Sequence, residues 1–167
     1  MDFLLLGLGA GGWERMEIRE YRKEDEREVK EVILGALKEI YRNTEFIKWE
    51  DFDKYLIIYV AEVDGRLCGL VAIKKVDDEA TKLKRMYVLP AYQRKGVGKR
   101  LLDKSIEFSI DKGVKEIILT TYPEMKSAIE FYKKNGFEIV ENPEDRFFTD
   151  PSRIKYNKRQ TAMRRKI

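Results

Sequence analysis

Residues 93–98, with the sequence Gln-Arg-Lys-Gly-Val-Gly, join a strand-like segment to an amphipathic helix and constrain the fold more than any other part of the chain. Gly96 and Gly98 allow backbone conformations that a Cβ disfavours, and they let a ligand approach the main-chain N–H groups. The helix predicted over residues 97–112 would direct its unpaired N-terminal N–H groups and the positive end of its dipole at this loop. The pattern predicts an anion site, and a pyrophosphate fits its chemistry.

Four basic residues, Arg94, Lys95, Lys99 and Arg100, surround the glycines and would add charge to the oriented N–H donors. Glycines with basic neighbours also occur in ordinary loops, so a surface turn is the alternative interpretation. The segment is not a Walker A loop, because Gln93 stands in the place of its first glycine and Arg100 in the place of its Ser or Thr.

The elements around the loop occur in a specific order. Residues 81–88 alternate as a strand does, and Pro90 stops the strand because proline cannot donate to a ladder. A short helix is predicted over residues 125–135, with Gly136 placed to cap it. Strand, Gln-x-x-Gly-x-Gly, helix, strand and Ala-x-x-x-Tyr-x-x-x-Gly-Phe follow one another, and from Met16 onward the chain resembles the GNAT superfamily of acyl-CoA N-acyltransferases.

The resemblance implies an α+β fold, in which a mixed, mostly antiparallel sheet of about seven strands is flanked by helices on both faces. The pattern of apolar residues predicts a first helix over residues 29–41, and Asp64-Gly65 is a strong hairpin signal. Strands are predicted over residues 17–21, 55–63, 66–76, 81–88, 116–121, 137–140 and 156–165. The acetyltransferase-like domain is expected to cover residues 16–167, and residues 1–15 form an N-terminal extension outside the resemblance.

The resemblance also implies where a cofactor binds. Acetyl-CoA would be the acyl donor, and it would lie like an extra strand in an opening of the sheet. Main-chain groups of Met86, Tyr87 and Val88 would hold the pantetheine arm and the thioester carbonyl. The backbone and charges of residues 94–100 would hold the pyrophosphate. The remaining cofactor-binding residues are therefore Gln93, Arg94, Lys95, Gly96, Val97, Gly98, Lys99 and Arg100.

Tyr132 matches the family tyrosine that protonates the leaving thiolate, so the resemblance implies a catalytic role for it. A phenol with a pKa near 10 is protonated at neutral pH and can donate to a thiolate with a pKa of about 8.5. The alternative is an aromatic ring that packs at helical spacing with Ala128 and Met125. Met125 also departs from the family, because many members place Asn there, and Lys82 and Thr120 stand where several members carry a glutamate that acts as the general base.

No general base can be assigned from the sequence. Asp51, Asp53, Glu50 and Glu62 could act through water, but in a chain with 38% charged residues such carboxylates are usually solvated. Cys68 is expected to be a small buried hydrophobe and not an acyl-carrying nucleophile, so direct transfer in a ternary complex is predicted. A non-catalytic acyl-CoA-binding or sensing module is the alternative function.

The acceptor cannot be identified from the sequence. In the family, the variable segment between the first and second strands builds the acceptor site, and here this segment is residues 43–54. Its acids would suit a cationic amine. A protein N-terminus, a lysine, a polyamine and another small amine all remain open.

The composition indicates what kind of protein the chain is. A chain of 167 residues suits one domain. It has no histidine and one cysteine, so we expect no metal cofactor and no intrachain disulfide. We also expect a reducing cytoplasm and, from the high charge content and the presence of only two glutamines, a heat-adapted protein.

Both ends of the chain carry patterns that resemble functional motifs. Gly7, Gly9 and Gly12 follow an apolar run as in a dinucleotide fingerprint, but no βαβ unit follows. The run is too short to span a membrane and lacks the features of a signal peptide, although residues 3–6 could support a homodimer. The C-terminal tail is interpreted as a strand with solvated basic positions and not as a nucleic-acid site. Its basic residues are Arg153, Lys155, Lys158, Arg159, Arg164, Arg165 and Lys166.

Overall fold

The structure, a computed structural model, describes residues 2–4, 15–45, 49, 51–148 and 160–167. Within these residues it contains eight β-strands and three α-helices. The strands are β1 (Asp2–Leu4), β2 (Met16–Glu20), β3 (Ile57–Val63), β4 (Arg66–Lys75), β5 (Ala80–Val88), β6 (Glu116–Thr121), β7 (Glu138–Ile139) and β8 (Thr161–Lys166). The helices are α1 (Glu26–Lys38), α2 (Val97–Asp111) and α3 (Lys126–Lys134). Two compact units are present, the first formed by Met1–Lys74 and Lys84–Glu107 and the second by Lys75–Leu83 and Phe108–Ile167.

The sheet of the first unit is built from successive hairpins. β1, β2, β3 and β4 pair antiparallel in that order, and the C-terminal part of β5 lies beside β4. Asp64 and Gly65 have φ angles of 49° and 81°, which are the values a tight two-residue hairpin requires, so the predicted turn is confirmed. β1 pairs with residues 16–18 and adds a strand that the sequence did not predict.

Helices cover both faces of this sheet. Val60 and Leu70 are opposite one another in β3 and β4, and both belong to the buried cluster that contains Val29 of α1. Because neighbouring residues of a strand point to opposite faces, Tyr59 and Gly69 face the other way. There they meet α2: the Lys104 ammonium is 6.0 Å from the centroid of the Tyr59 ring, and a Cβ at Gly69 would lie 3.2 Å from Cδ1 of Leu101.

The second unit has its own small core. The N-terminal part of β5 runs parallel to β6, which pairs antiparallel with β8, and β8 pairs antiparallel with β7. On one face, the Thr81 and Ser109 hydroxyls are hydrogen-bonded at 2.8 Å, which joins β5 to the last turn of α2. On the other face, Ile118, Phe147 and Ala162 form a buried cluster.

The predicted α+β class with a mostly antiparallel sheet and helices on both faces is confirmed, and apart from the additional strand β1 the differences lie at the ends of elements. α1 begins at Glu26 and not at residue 29, because apolar spacing marks only the inner face, whereas the start is set by a turn in which the Asp25 carboxylate accepts from the N–H of Arg22. β3 begins two residues late because Phe52–Lys54 forms a 3-10 turn. β8 begins at Thr161, and the predicted positions 156–159 lie outside the described residues. Over the described part of the chain, every helix is too short or too polar to cross a membrane.

Candidate functional site

The loop over residues 93–98 belongs to the first unit and leads directly into α2. Arg94 and Gly96 have φ angles of 59° and 86°, so the chain turns twice through the left-handed region before the helix begins at Val97. The N–H of Arg100 donates to the carbonyl of Gly96 at 3.1 Å and is the first bond of the helical series. The N–H groups of residues 97–99 therefore have no carbonyl within the helix to bind. They form the donor end that the sequence predicted for an anion.

The side chains around this loop divide into two groups. Gln93 donates from Nε2 to the carbonyl of Val88 at 3.0 Å, which ties the loop to the end of β5. Arg100 donates from Nη1 to the carbonyl of Met16 at 3.1 Å, which ties the first turn of α2 to β2. These two side chains hold the loop in place. Arg94, Lys95 and Lys99 are exposed, and Lys99 forms an ion pair with Asp103.

The segment assigned to the pantetheine arm is the C-terminal part of β5. The parallel ladder with β6 joins residues 80–82 to residues 116–118, and Met86, Tyr87 and Val88 follow it along the strand, half-buried. Arg85 lies between this ladder and Met86, and its φ of 53° interrupts the regular strand. The sequence gives no signal for this kink, because an arginine in the left-handed region is held there by its surroundings and not by its own preference.

Gly69 lets this segment approach β4 closely. A Cβ at Gly69 would be 3.0 Å from the carbonyl oxygen of Tyr87 and 3.3 Å from Cγ2 of Val88. The N–H of Leu89 donates to the carbonyl of Cys68 at 2.8 Å and fixes the same register. The absence of a side chain at Gly69 is therefore needed for the observed position of the Tyr87–Val88 main chain.

Tyr132 lies in the second unit, on the last turns of α3. The residue is 9% exposed, and its ring makes edge-to-face contacts with Phe131 and Phe137 at centroid distances of 5.4 and 5.5 Å. The ring is thus packed, as the alternative interpretation expects, but the aromatic partners found are Phe131 and Phe137, whereas that interpretation named Ala128 and Met125. A general-acid role for the hydroxyl is compatible with it and stays a prediction.

The three residues that depart from the family pattern all lie in the second unit. Met125 is the N-cap residue of α3 and provides no side-chain cap, while the Thr121 hydroxyl lies 3.7 Å from its sulfur. Lys82 is 2% exposed and donates from Nζ to the carbonyl of Phe147, so this position holds a buried amino group in the second unit. Thr120 is half-buried in β6.

The carboxylates considered as bases differ in their surroundings. Glu62 forms an ion pair with Arg19 at 3.0 Å, and Asp51 accepts from the N–H of Asp53 at 3.0 Å at the start of a 3-10 turn. Asp53 is exposed and lies near Tyr21. Burial is the largest cause that raises the pKa of the Tyr21 phenol, and the negative charge of Asp53 is one of the smaller causes. Glu50 lies outside the described residues. No base is identified by these contacts.

Cys68 is fully buried in β4, and its thiol is 3.5 Å from the carbonyl oxygen of Ala61. Burial raises the pKa of the thiol to about 12, so the nucleophilic thiolate is scarce at neutral pH. This agrees with the prediction of a small buried hydrophobe. Across the described residues, no three His, Cys, Asp or Glu side chains group closely enough to hold a metal ion.

Comparison with known proteins identifies the family. A family model described as the acetyltransferase (GNAT) family matches residues 15–137. The chain belongs to this family. It is 30% identical over 140 residues to an N-acetyltransferase of Methanocaldococcus jannaschii, in an alignment that covers 74% of this chain and 61% of the relative. The GNAT chain thus spans less than two thirds of that relative's length.

Two further comparisons concern one relative in sequence and one solved structure. The chain is 33% identical over 79 residues to spermidine N(1)-acetyltransferase of Thermoplasma acidophilum, in an alignment that covers 47% of this chain and 48% of the relative. The PaiA N-acetyltransferase of Thermoplasma acidophilum, solved in complex with coenzyme A, superposes with a TM-score of 0.69 and 24% identity over 91% of this chain and 99% of that one. At this identity the likeness is one of fold.

Proposed function

We propose that this protein is an acetyl-CoA-dependent N-acetyltransferase that moves an acetyl group to a primary amine by direct transfer in a ternary complex. The observation that carries the proposal is the donor end of α2, where two left-handed residues and three helix N–H groups lie among exposed basic side chains in a GNAT chain. Such an arrangement favours a phosphate group through oriented donors and the helix dipole together.

The residues of the first unit suit the parts of the cofactor. The main chain of residues 97–99 would bind the pyrophosphate, and Arg94, Lys95 and Lys99 would supply positive charge around it. Gln93 and Arg100, which the sequence also assigned to the cofactor, would act by holding the loop to β5 and β2. Met86, Tyr87 and Val88, held close to β4 at Gly69, would offer main-chain groups to the pantetheine arm and an N–H to the thioester carbonyl oxygen.

Acyl transfer needs three things from the protein. The amine must be neutral and held against the carbonyl carbon, the oxyanion needs donors, and the thiolate needs a proton as the C–S bond breaks and the C–N bond forms. In our proposal a main-chain N–H of β5 donates a hydrogen bond to the oxyanion, and the Tyr132 hydroxyl donates a proton to the thiolate. The proton of the amine leaves through water, since no described carboxylate is assigned as a base.

We propose a cationic amine as the acceptor. Tyr21 and Phe52 meet edge to face with ring centroids 5.5 Å apart, and both pack on the buried cluster that also supports Tyr87. The charges of Glu26, Asp25, Asp53 and Glu24 act on the Tyr21 phenol. Aromatic rings and carboxylates together attract an alkylammonium group. A relative named for spermidine acetylation agrees with this choice.

The direct test is release of free thiol from acetyl-CoA in the presence of a panel of amines. The panel contains an alkyl diamine, a polyamine, a lysine peptide and a peptide with a free N-terminus. We expect thiol release that saturates with at least one cationic amine and an acetylated product of the corresponding mass. Tight binding of acetyl-CoA without turnover on any amine would instead support the non-catalytic sensing module.

A further inference from the structure

Tyr132 is held by the turn that ends α3. The N–H of Phe137 donates to the carbonyl of Tyr132 at 3.0 Å, and the N–H of Gly136 donates to the carbonyl of Lys133 at 3.1 Å. With Gly136 at a φ of 87°, these two bonds form a Schellman motif. The apolar contact that accompanies this motif is here the pair of Tyr132 and Phe137 rings, 5.5 Å apart. The turn therefore restrains both the main chain and the ring of Tyr132.

Arg165, near the C-terminal end of β8, closes this turn. Its Nη1 donates to the carbonyl of Asn135 at 2.6 Å. Its side chain also lies over Gly136, where a Cβ would be 3.4 Å from the guanidinium carbon. The carbonyl of Asn135 lies at the end of the helix, where the intrahelical donors have run out and where the negative end of the helix dipole favours a cation. Arg165 thus supplies both the donor and the charge that the end of α3 requires.

We propose that Arg165 is a positioning residue for Tyr132. It fixes the Asn135–Gly136 turn, the turn fixes the contact between Phe137 and Tyr132, and this contact sets the direction of the Tyr132 hydroxyl. The inference rests on the proposed function, in which that hydroxyl protonates the leaving thiolate. Proton transfer depends on placing the donor within hydrogen-bond reach, so a loosened turn lowers the rate while leaving cofactor binding unchanged.

Arg164 provides a matched control on the same strand. Its guanidinium lies 3.7 Å from the carboxylates of Glu116 and Glu138, and it is 28% exposed. Neighbouring residues of a strand point to opposite faces, so Arg164 and Arg165 serve different partners. Both arginines are engaged with the protein, which corrects the expectation of solvated basic positions for these two residues, whereas Lys166 is exposed as expected. The other basic residues of the tail, Arg153, Lys155, Lys158 and Arg159, lie outside the described residues.

The kinetic test uses glutamine, which keeps polarity while removing the charge and the forked donor. We expect Arg165→Gln to lower kcat by about fivefold and to leave the KM for acetyl-CoA within about twofold. In a Tyr132→Phe background, Arg165→Gln should cause no further loss, because the residue acts through the hydroxyl that is already gone. Arg164→Gln should leave kcat within about twofold in both backgrounds, and Arg165→Lys should restore part of the rate.

A spectroscopic readout separates positioning from activity. In protein labelled with carbon-13 at the tyrosine Cζ, the Tyr132 resonance is assigned by its loss in Tyr132→Phe. We expect this resonance to shift or broaden in Arg165→Gln and to stay unchanged in Arg164→Gln. An unchanged resonance in Arg165→Gln, or an equal fall in kcat in both backgrounds, overturns the proposal. If Tyr132→Phe itself turns over at the parent rate, the acid role fails, and the resonance alone decides whether Arg165 positions the ring.

Discussion

At the scale of single residues, the question is which buried groups do chemistry and which only pack. Tyr132 and Cys68 are both buried, but their surroundings differ. The ring of Tyr132 packs edge to face against Phe131 of α3 and Phe137 of the turn that follows, so its position is well determined. The thiol of Cys68 lies inside a sheet against a main-chain carbonyl and cannot become a thiolate without a large energetic cost. The first arrangement suits a proton donor, and the second suits an inert core residue.

Substitution Tyr132→Phe tests the proton donor directly, because it keeps the packed ring and removes only the hydroxyl. We expect kcat to fall by about ten- to a thousandfold while the affinity for acetyl-CoA changes little. Stopped-flow or steady-state thiol release measures the first quantity and calorimetry the second. A rate within about twofold of the parent would return Tyr132 to a purely structural role.

The Cys68 thiol should be inert in the folded protein. At pH 8 we expect an aromatic disulfide reagent to react at least about a hundredfold more slowly with the native protein than with the unfolded chain. The pKa of the Cys68 thiol is about 12 in the folded protein and lower in the unfolded chain. The thiol therefore contributes stability to the fold below its unfolded pKa, and this stability is lost as the pH rises toward 12. Rapid labelling of native protein would contradict the burial of the thiol.

At the scale of elements, the first unit is tied together by residues that serve the loop and the sheet at once. Gln93 links the loop to β5, Arg100 links α2 to β2, and Gly69 lets β4 and β5 approach. These contacts fix the donor end of α2 relative to the segment 86–88. Binding of a long, charged cofactor gains from such a preformed arrangement, because little ordering remains to be done when the cofactor arrives.

Gly98→Glu tests the anion site at this end of α2. Gly98 lies inside the helix, and an acid near a helix N-terminus is stabilising, so the fold should be retained. The new carboxylate repels a pyrophosphate, and we expect the Kd for acetyl-CoA to rise at least about a hundredfold, or about 2.7 kcal/mol. Calorimetry measures the loss, with Gly98→Ala as the uncharged control. Unchanged affinity in Gly98→Glu would exclude this loop as the phosphate site.

The turn before α1 predicts a pH-dependent stability. Asp25 accepts two bonds from Arg19, at 2.7 and 2.9 Å, and the two side chains are 13% and 14% exposed. The bond from Arg19 holds the pKa of Asp25 below its usual value, so the stabilisation is present above the unfolded pKa and is lost as pH falls through the folded pKa. Asp25→Asn should therefore cost about 2 kcal/mol at neutral pH and much less near pH 2.

Urea unfolding at the two pH values measures this difference, and the exposed neighbour Glu24 supplies the control Glu24→Gln. The control should cost less than about 0.5 kcal/mol at either pH. An equal deficit for Asp25→Asn at both pH values would mean that the charge of Asp25 is not what stabilises the turn.

Comparison of the elements with the sequence shows what local patterns can predict. Periodicity and turn chemistry located α1, the Asp64-Gly65 hairpin, the loop before α2 and the glycine that ends α3, because each depends on neighbouring residues. The kink at Arg85, the burial of the Lys82 amino group and the link from Arg165 to Asn135 depend on residues far apart in the chain. A single sequence carries no signal for such contacts, so they required coordinates.

At the scale of the whole molecule, strand β1 of the N-terminal extension is part of the sheet but lies outside the family match. β1 pairs with β2 over three register positions, whereas the family match begins at residue 15. Within the first unit, the Arg15 carbonyl accepts a hydrogen bond from the N–H of Asp64, and the Met16 carbonyl accepts one from the guanidinium of Arg100. The domain therefore makes its own contacts up to residue 15, and β1 is an additional edge strand.

We therefore predict that residues 1–15 and Cys68 are dispensable for chemistry. A chain that begins at Met16 and carries Cys68→Ala should bind acetyl-CoA and transfer its acetyl group within about twofold of the parent, because no proposed cofactor or catalytic group is removed. The outer edge of β2 becomes exposed, so the shortened chain should lose some stability, and its association state should change, since an uncovered strand edge pairs readily with other chains. Light scattering measures that change and thiol release measures the chemistry. Loss of acetyl transfer in a folded chain of this kind, or an acetyl group trapped on Cys68 of the parent, would overturn direct transfer, because only a covalent route needs that thiol.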